Sequence, residues 1–190
     1  MKRARVWMAA GMLAAGLGLV YSARLGAGDT PAPDVLKIAA AVKKGDMDNA
    51  KQMAAALVKK VDALEDVMDL FKVKKKGGIA WPGAKDTDGI EAKIREVARD
   101  GTKNAVKDAP MFEEIAATSK AIGLVAEAWS PKVKDMGKKS RKAWDQYVTD
   151  MLAGTDALSK AAKSKSAAEI KTAATKLNNA CNACHSDFRN

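Results

Sequence analysis

Apolar residues recur at three- and four-residue steps along most of the chain, which is the spacing of amphipathic α-helices. From Asp46 to about Phe71 this pattern predicts one long helix, because Asp46 can cap its start and the apolar positions form one face. A short helix over Asp34–Lys44 is predicted before it, ending at Gly45. The first part of the folded chain is therefore predicted to be helical.

A glycine-rich stretch over residues 73–87 interrupts the helical pattern and predicts a loop. After it, the pattern predicts a short helix over residues 88–100, opened by a capping box between Asp88 and Glu91. A longer helix is predicted over residues 110–129, because proline suits a first helical turn.

Two further helices are predicted in the last third of the chain. The dipeptide Ser130-Pro131 is predicted to end one helix and to cap the next, which runs to about Lys163. A capping box between Ser166 and Glu169 then opens the last helix. Its apolar residues form one stripe: Ile170, Ala173, Ala174, Leu177, Cys181, Cys184 and Phe188. We therefore expect an all-α fold in which the last three helices are antiparallel neighbours and both cysteines face the core.

The N-terminus has the layout of an export segment over residues 1–28. Three basic residues precede an uncharged apolar run over residues 6–23. Because this run is close to the lower length limit for crossing a bilayer, two outcomes stay open: a cleaved signal peptide, or a retained anchor that tethers the protein to a membrane. Residues 29–33 are predicted to be a linker and residues 34–190 the folded domain. The predicted location is the periplasm or the outer face of the inner membrane.

The chain is basic, with a formal net charge of +10. Loss of Lys2, Arg3, Arg5 and Arg24 with a cleaved signal would leave +6, since no acidic residue precedes Asp29. This charge favours an acidic redox partner or an anionic surface. No stretch combines clustered arginines with aromatic residues, so nucleic acid is not an expected partner.

The chain ends in ACNACHSDFRN, which holds both cysteines and the only histidine, Cys181, Cys184 and His185. Cys-x-x-Cys-His is the attachment sequence of c-type haem. The two thiols can form thioethers with the porphyrin vinyl groups, and the histidine beside the second thiol can be the proximal ligand of the iron. Zinc would need a fourth ligand, a redox pair would sit at a helix N-terminus, and a disulfide would leave the histidine unexplained. We therefore predict one covalently bound haem c with its iron.

The ending CNACHSDFR, preceded by KKSRKAWDQYVTDM and by DNAKQMAAALVKKVDALEDVMDLF, resembles the class II cytochromes c, the family of cytochrome c′ and cytochrome c-556. The resemblance covers roughly the last 60 residues well, whereas residues 73–129 look like an insertion. It implies a cytochrome c′-like antiparallel four-helix bundle with an inserted loop and extra short helices. Carried over, the resemblance makes Cys181 and Cys184 the thioether attachments, His185 the proximal ligand and Arg189 a charge near the proximal face. It leaves pairing into a homodimer open.

The function depends on the sixth coordination position of the iron. With no second histidine, a side-chain ligand would be a methionine. In the family's topology the end of the second helix and the loop after it lie at the haem end, which favours Met68 and brings Trp81 near. Counting back along antiparallel helices from the attachment sequence adds Met151 and Met111 as weaker candidates. The predicted first helix, residues 34–44, has no methionine, so a vacant distal side also stays open.

Two functions follow from these alternatives. The first is an exported monohaem cytochrome that transfers electrons to redox partner proteins not identified by the sequence. The alternative is a five-coordinate, cytochrome c′-like protein that binds NO or CO. Enzymatic activity is not expected, because the chain has no second histidine to act as a distal acid or base.

Overall fold

A computed structural model of the protein describes residues 30–137 and 139–189. Within these ranges the chain forms α-helices and no strand, which confirms the all-α fold. The helices are α1 (Ala32–Lys44), α2 (Met47–Val58), α3 (Leu64–Met68), α4 (Ile90–Asp100), α5 (Ala105–Trp129), α6 (Arg141–Ser164) and α7 (Ala167–Phe188). The predicted export segment, residues 1–28, lies outside the described residues. None of the described helices is long and apolar enough to span a bilayer.

Helices α4 to α7 form an antiparallel four-helix bundle. α6 packs against α5 on one side and against α7 on the other, and α4 packs against α7. The Nε1 atom of Trp144 on α6 donates a hydrogen bond to the carbonyl of Ala126 on α5, and the hydroxyl of Tyr147 on α6 donates one to Asp187 on α7. Hence the start of α6, the end of α5 and the end of α7 lie together at one end of the bundle.

The hairpin of α1 and α2 packs against a further face of α5. As a result α5 is surrounded by helices, and all of its residues from Ile115 to Ala126 except Lys120 are buried. A helix that is apolar all round is expected to be a central one. The sequence predicted a helix here but did not reveal its central position.

The predicted long helix over residues 46–71 is wrong, because the chain breaks after Val58 and is extended at Ala63 before α3. Lys60 leaves the helical path to pair with Asp34 on α1, at 2.8 Å. The carbonyl of Val58, left without a partner further along α2, accepts a hydrogen bond from the Lys132 Nζ atom at 2.9 Å. After the break, α3 packs against α5.

Three helix starts also differ from prediction. α4 begins at Ile90, and the carboxylate of Asp88 accepts a hydrogen bond from the Lys85 N–H instead of capping the helix. α5 begins at Ala105 with Asn104 as its cap. Pro110 therefore lies in the second turn, four residues after the exposed Val106 of the first turn.

The start of α6 is the third difference. Residues 130–132 form a single 3₁₀ turn instead of capping α6, which begins later, at Arg141, with Ser140 as its cap. The cap predicted for the last helix is confirmed, since the Ser166 hydroxyl accepts a hydrogen bond from the Glu169 N–H.

Candidate haem-attachment site

The last two turns of α7 carry both thiols and the imidazole. Cys181, Cys184 and His185 are all half-buried, so the expectation that both cysteines face the core is met only in part. Cys181 packs against the main hydrophobic core, while Cys184 packs against a smaller cluster built around Trp144. Residues three and four apart lie on the same side of a helix, so the three side chains share one flank of α7.

A cavity of about 620 Å³ adjoins this flank, at the end of the bundle where α5 ends and α6 begins. This volume lies within the range of roughly 300–1,000 Å³ that is typical of cofactor and ligand sites. Both thiols and the imidazole line the cavity. Much of the rest of the wall is apolar, including Leu64, Ile94, Ala126, Trp129, Val148 and Phe188. The walls therefore come from α3, α4, α5, α6 and α7.

Aromatic residues hold the end of α7 against α6. The rings of Trp144 and Phe188 meet edge to face with centroids 5.1 Å apart, and the Tyr147 ring lies 6.2 Å from Phe188 in the same manner. The Tyr147 hydroxyl donates a hydrogen bond of 2.6 Å to the Asp187 carboxylate. These contacts flank the cavity on the side of α6 and position the attachment sequence.

The thiols are weakly acidic in this setting. Burial is the main cause that raises the pKa of Cys181 and of Cys184 to about 11. Both thiols are therefore protonated at neutral pH, and the structure shows them free and not joined in a disulfide. A redox-active pair needs a lowered thiol pKa, so this environment does not favour the thioredoxin-like alternative.

His185 is suited to be a neutral ligand. Burial lowers the pKa of its imidazole, the nearby charge of Arg189 adds to that effect, and Glu91 on α4 opposes it. A neutral imidazole keeps a nitrogen lone pair free to bind a metal. Arg189 itself is exposed, lines the cavity, and follows α7 as its C-terminal cap.

The structure separates the three methionines named from the sequence. Met68 and Met151 line the cavity together with the attachment sequence, whereas Met111 lines a second cavity beside Asp100, so it is not brought near Cys181. Met151 is buried, and its Cε atom lies 3.7 Å from the position a Cβ would take at residue 123, so its end points toward α5.

Two other residues are placed differently from the sequence expectation. Trp81 does not line the cavity and lies beside α4, with the Lys93 Nζ atom 5.9 Å from its ring centroid. Trp129 lines the cavity instead. Met136 lines the cavity although sequence reasoning did not select it. The sequence prediction placed it inside the helix that runs to about Lys163, whereas it lies in the loop before α6.

The donor set fits a covalently held haem. Two thiols and a neutral imidazole share one flank of α7 and face a largely apolar cavity of suitable size. No cluster of three or more histidine, cysteine or acidic side chains in the part of the chain that the structure describes is placed to hold a metal ion. In this site His185 would supply the imidazole to an iron that the porphyrin holds.

Comparison with known proteins points to the same cofactor. No curated protein and no solved structure matches the chain. A family model described as Cytochrome C′ matches residues 93–189, which include most of α4 and all of α5, α6 and α7. The expectation that residues 73–129 form an insertion is thus wrong from residue 93 onward, and the elements outside the match are α1 to α3. Since the match takes in just over half of the 190 residues, the chain belongs to the cytochrome c′ family, which implies a haem-binding c-type cytochrome.

Proposed function

We propose that the protein is an exported monohaem cytochrome that carries electrons rather than catalysing a reaction. In this proposal Cys181 and Cys184 bind the haem through thioethers, and His185 is an axial ligand of the iron. The observation that carries the proposal is that Met68 lines the same cavity as these three residues, so a second strong ligand is available. An iron with two strong ligands favours electron transfer.

The haem supplies an iron that gains and loses one electron. The protein's part is to hold this group in one place and to limit access of water. The aromatic contacts between α6 and α7 fix the backbone that carries the thiols, and the apolar walls replace solvent around the ring. Because the bundle already positions these groups, little rearrangement is expected when the charge on the iron changes.

Met68 is the best candidate for the sixth ligand among the methionines that line the cavity. It is half-buried and packs against both hydrophobic clusters, so its thioether lies at the boundary between core and cavity. Met151 has its methyl end against α5, and Met136 is 65% exposed at the surface. Met68 ends α3, the short helix that follows the break after Val58.

Arg189 has a supporting role in the proposal. Its positive charge lies beside His185 and favours the neutral form of the imidazole. It would therefore stabilise the ligand-competent form of His185, as the family resemblance implies for an arginine near the proximal face.

The alternative function is the binding of NO or CO at an open iron. It is favoured by the buried apolar part of the cavity wall formed by Ala126, Trp144 and Val148. In this case Met68 would be an ordinary packing residue. The two functions differ in one measurable property, the occupancy of the sixth position.

The test is the optical spectrum of the purified haem protein, in the ferric and reduced states, before and after addition of carbon monoxide. We expect a low-spin spectrum with a near-infrared methionine–iron band and no change with carbon monoxide. Met68→Leu, which keeps the side-chain volume, should remove the band and allow carbon monoxide to bind. Met53→Leu is the matched control, because Met53 packs against the core and does not line the cavity. A high-spin wild-type protein that binds carbon monoxide would establish the alternative.

A further inference from the structure

Two segments lie at the mouth of the cavity, residues 69–76 and the described residues 130–137 and 139–142. Both contribute lining residues, Lys72 from the first and Lys134 and Met136 from the second. Met136 lines the cavity and yet is 65% exposed, so the cavity meets solvent at this point. We call the exposed surface of these two segments the cavity mouth.

The cavity mouth is strongly basic. Its described residues include nine basic side chains and only two acidic ones, Asp69 and Asp135. Two of these lysines are paired locally, since Lys72 lies 2.6 Å from Asp69 and Lys74 lies 3.9 Å from Asp86. Others remain exposed, among them Lys75 and Lys134. A concave site with one sign of charge at its entrance raises the association rate of partners of the opposite sign.

An apolar contact point lies among these charges. The large apolar side chains that are exposed in the described ranges are Leu36, Val106 and Met136, on three separate parts of the fold, and Met136 alone among them lines the cavity. Methionine is enriched at protein–protein interfaces, where an apolar centre is surrounded by a polar rim. Lysine-rich loops around an exposed methionine match this arrangement better than they match a flat lipid surface.

Backbone hydrogen bonds hold both segments in place. In the second, Met136 and Lys139 exchange two bonds, of 2.8 and 3.0 Å, across a turn in which Gly137 has a φ of 59°. In the first, the Lys75 N–H donates to the Asp86 carbonyl at 3.0 Å. A Cβ at Gly89 would lie 2.7 Å from the Lys72 carbonyl, so the close approach of the chain there requires glycine. A surface that is already ordered loses less entropy when it binds.

We propose that the cavity mouth docks an acidic redox protein, whose carboxylates meet the lysines while its surface contacts Met136. This inference rests on the proposed electron-transfer function and names the chemistry of the partner. Docking here places the partner at the point where the cavity opens to solvent, and hence nearest to the group that the cavity holds. Because exposed charges act mainly on the rate of encounter, the effect should appear in association kinetics and should weaken with salt.

The test uses charge reversal at the mouth and at a remote site. Lys75→Glu with Lys134→Glu changes the cavity mouth. Lys160→Glu with Lys163→Glu makes the same change in net charge near the end of α6, at the far end of the bundle. The probe is a purified acidic flavodoxin, whose reduced flavin passes one electron to the ferric iron of the holoprotein and is itself oxidised by one electron. Stopped-flow mixing measures the second-order rate constant.

At low ionic strength we expect the mouth variant to react at least about fivefold more slowly than wild type, and the remote variant to change by less than about twofold. The difference should disappear near roughly 0.5 M salt, because exposed charges are then strongly screened. Equal rate constants for the two variants would overturn the proposal. A second result would also overturn it: the mouth variant no longer binds phosphatidylglycerol vesicles but reacts with flavodoxin at an unchanged rate. That result would assign the surface to a lipid.

Failure of the proposed function would look different. A wild-type iron that binds carbon monoxide and accepts no electron from flavodoxin would refute electron transfer itself. Normal electron transfer with no difference between the variants would refute only the docking surface.

Discussion

Trp144 should be the residue whose loss most directly tests how the bundle holds its C-terminal helix. It is 7% exposed and lies between α5 and α7. Its Nε1 atom donates a buried hydrogen bond of 3.0 Å to the carbonyl of Ala126, in the last turn of α5. The N–H of Ser130 donates to Glu127, so the indole satisfies a carbonyl that the helix end leaves free.

The expected cost follows from these contacts. Trp144→Phe keeps an aromatic ring but leaves the Ala126 carbonyl buried without its donor, which costs about 1–3 kcal/mol. Trp144→Ala also removes the ring, and large-to-small changes of this kind cost about 3–5 kcal/mol. For a chain of this size, 2 kcal/mol corresponds to a fall in melting temperature of roughly 4–8 °C.

The assay is guanidinium unfolding of the haem-loaded protein, followed by far-ultraviolet circular dichroism, with the slope checked for constancy between variants. Trp81→Phe is the control, because Trp81 is half-buried on a loop, and it should cost less than about 1 kcal/mol. A double-mutant cycle with Phe188→Leu should give a coupling of about 0.5–1.5 kcal/mol for the edge-to-face pair. Equal losses for Trp144→Phe and Trp81→Phe would refute the reasoning.

Three further results are expected. Cys181→Ala with Cys184→Ala should abolish covalent haem, seen as loss of haem staining after denaturing electrophoresis, and should leave a poorly folded chain because the cavity lacks its occupant; a stable colourless bundle would contradict a structural role for haem. Gly154→Val should cost about 1–3 kcal/mol by thermal unfolding, since a Cβ at this position already lies 2.9 Å from the backbone of α7; unchanged stability would show that the two helices can separate freely. The hydrogen bond from Lys60 lowers the pKa of Asp34, so this contribution to stability is present above the usual carboxyl pKa and is lost as the pH falls through the lowered value. Asp34→Asn should therefore lower the free energy of unfolding by less than about 1 kcal/mol at pH 7, and by progressively less below about pH 4. A difference in unfolding midpoint that does not change with pH would count against the ion pair.

The candidate attachment sequence could be recognised from the sequence because the residues that define it are local. Two cysteines at a spacing of three and a histidine next to the second are neighbours in the chain, and the helix that carries them has a cap, Ser166, and an apolar stripe that are both visible in the sequence. The helical character of most of the remaining chain was predictable for the same reason.

The methionines show where such reasoning fails. The sequence favoured Met68 and added Met111 as a weaker candidate, and of these two only Met68 lines the cavity. The break in the chain after Val58, which precedes α3 and Met68, was not predicted. The groups that stabilise this break are distant in the chain: Lys132 binds the Val58 carbonyl across 74 residues. No local pattern around Val58 encodes a partner so far away.

By itself the sequence determined the helical class, the last helix with its cap, and the Cys-x-x-Cys-His sequence that predicts covalent haem, because each depends on residues within a few positions of one another. Only the tertiary structure decided which side chains surround the cavity, that α5 is central, and that the mouth of the cavity is basic. These properties arise where α3, the loop before α6 and the end of α7 meet. Contacts between segments that are distant in the chain depend on how all the helices pack against one another. No short stretch of sequence therefore predicts them.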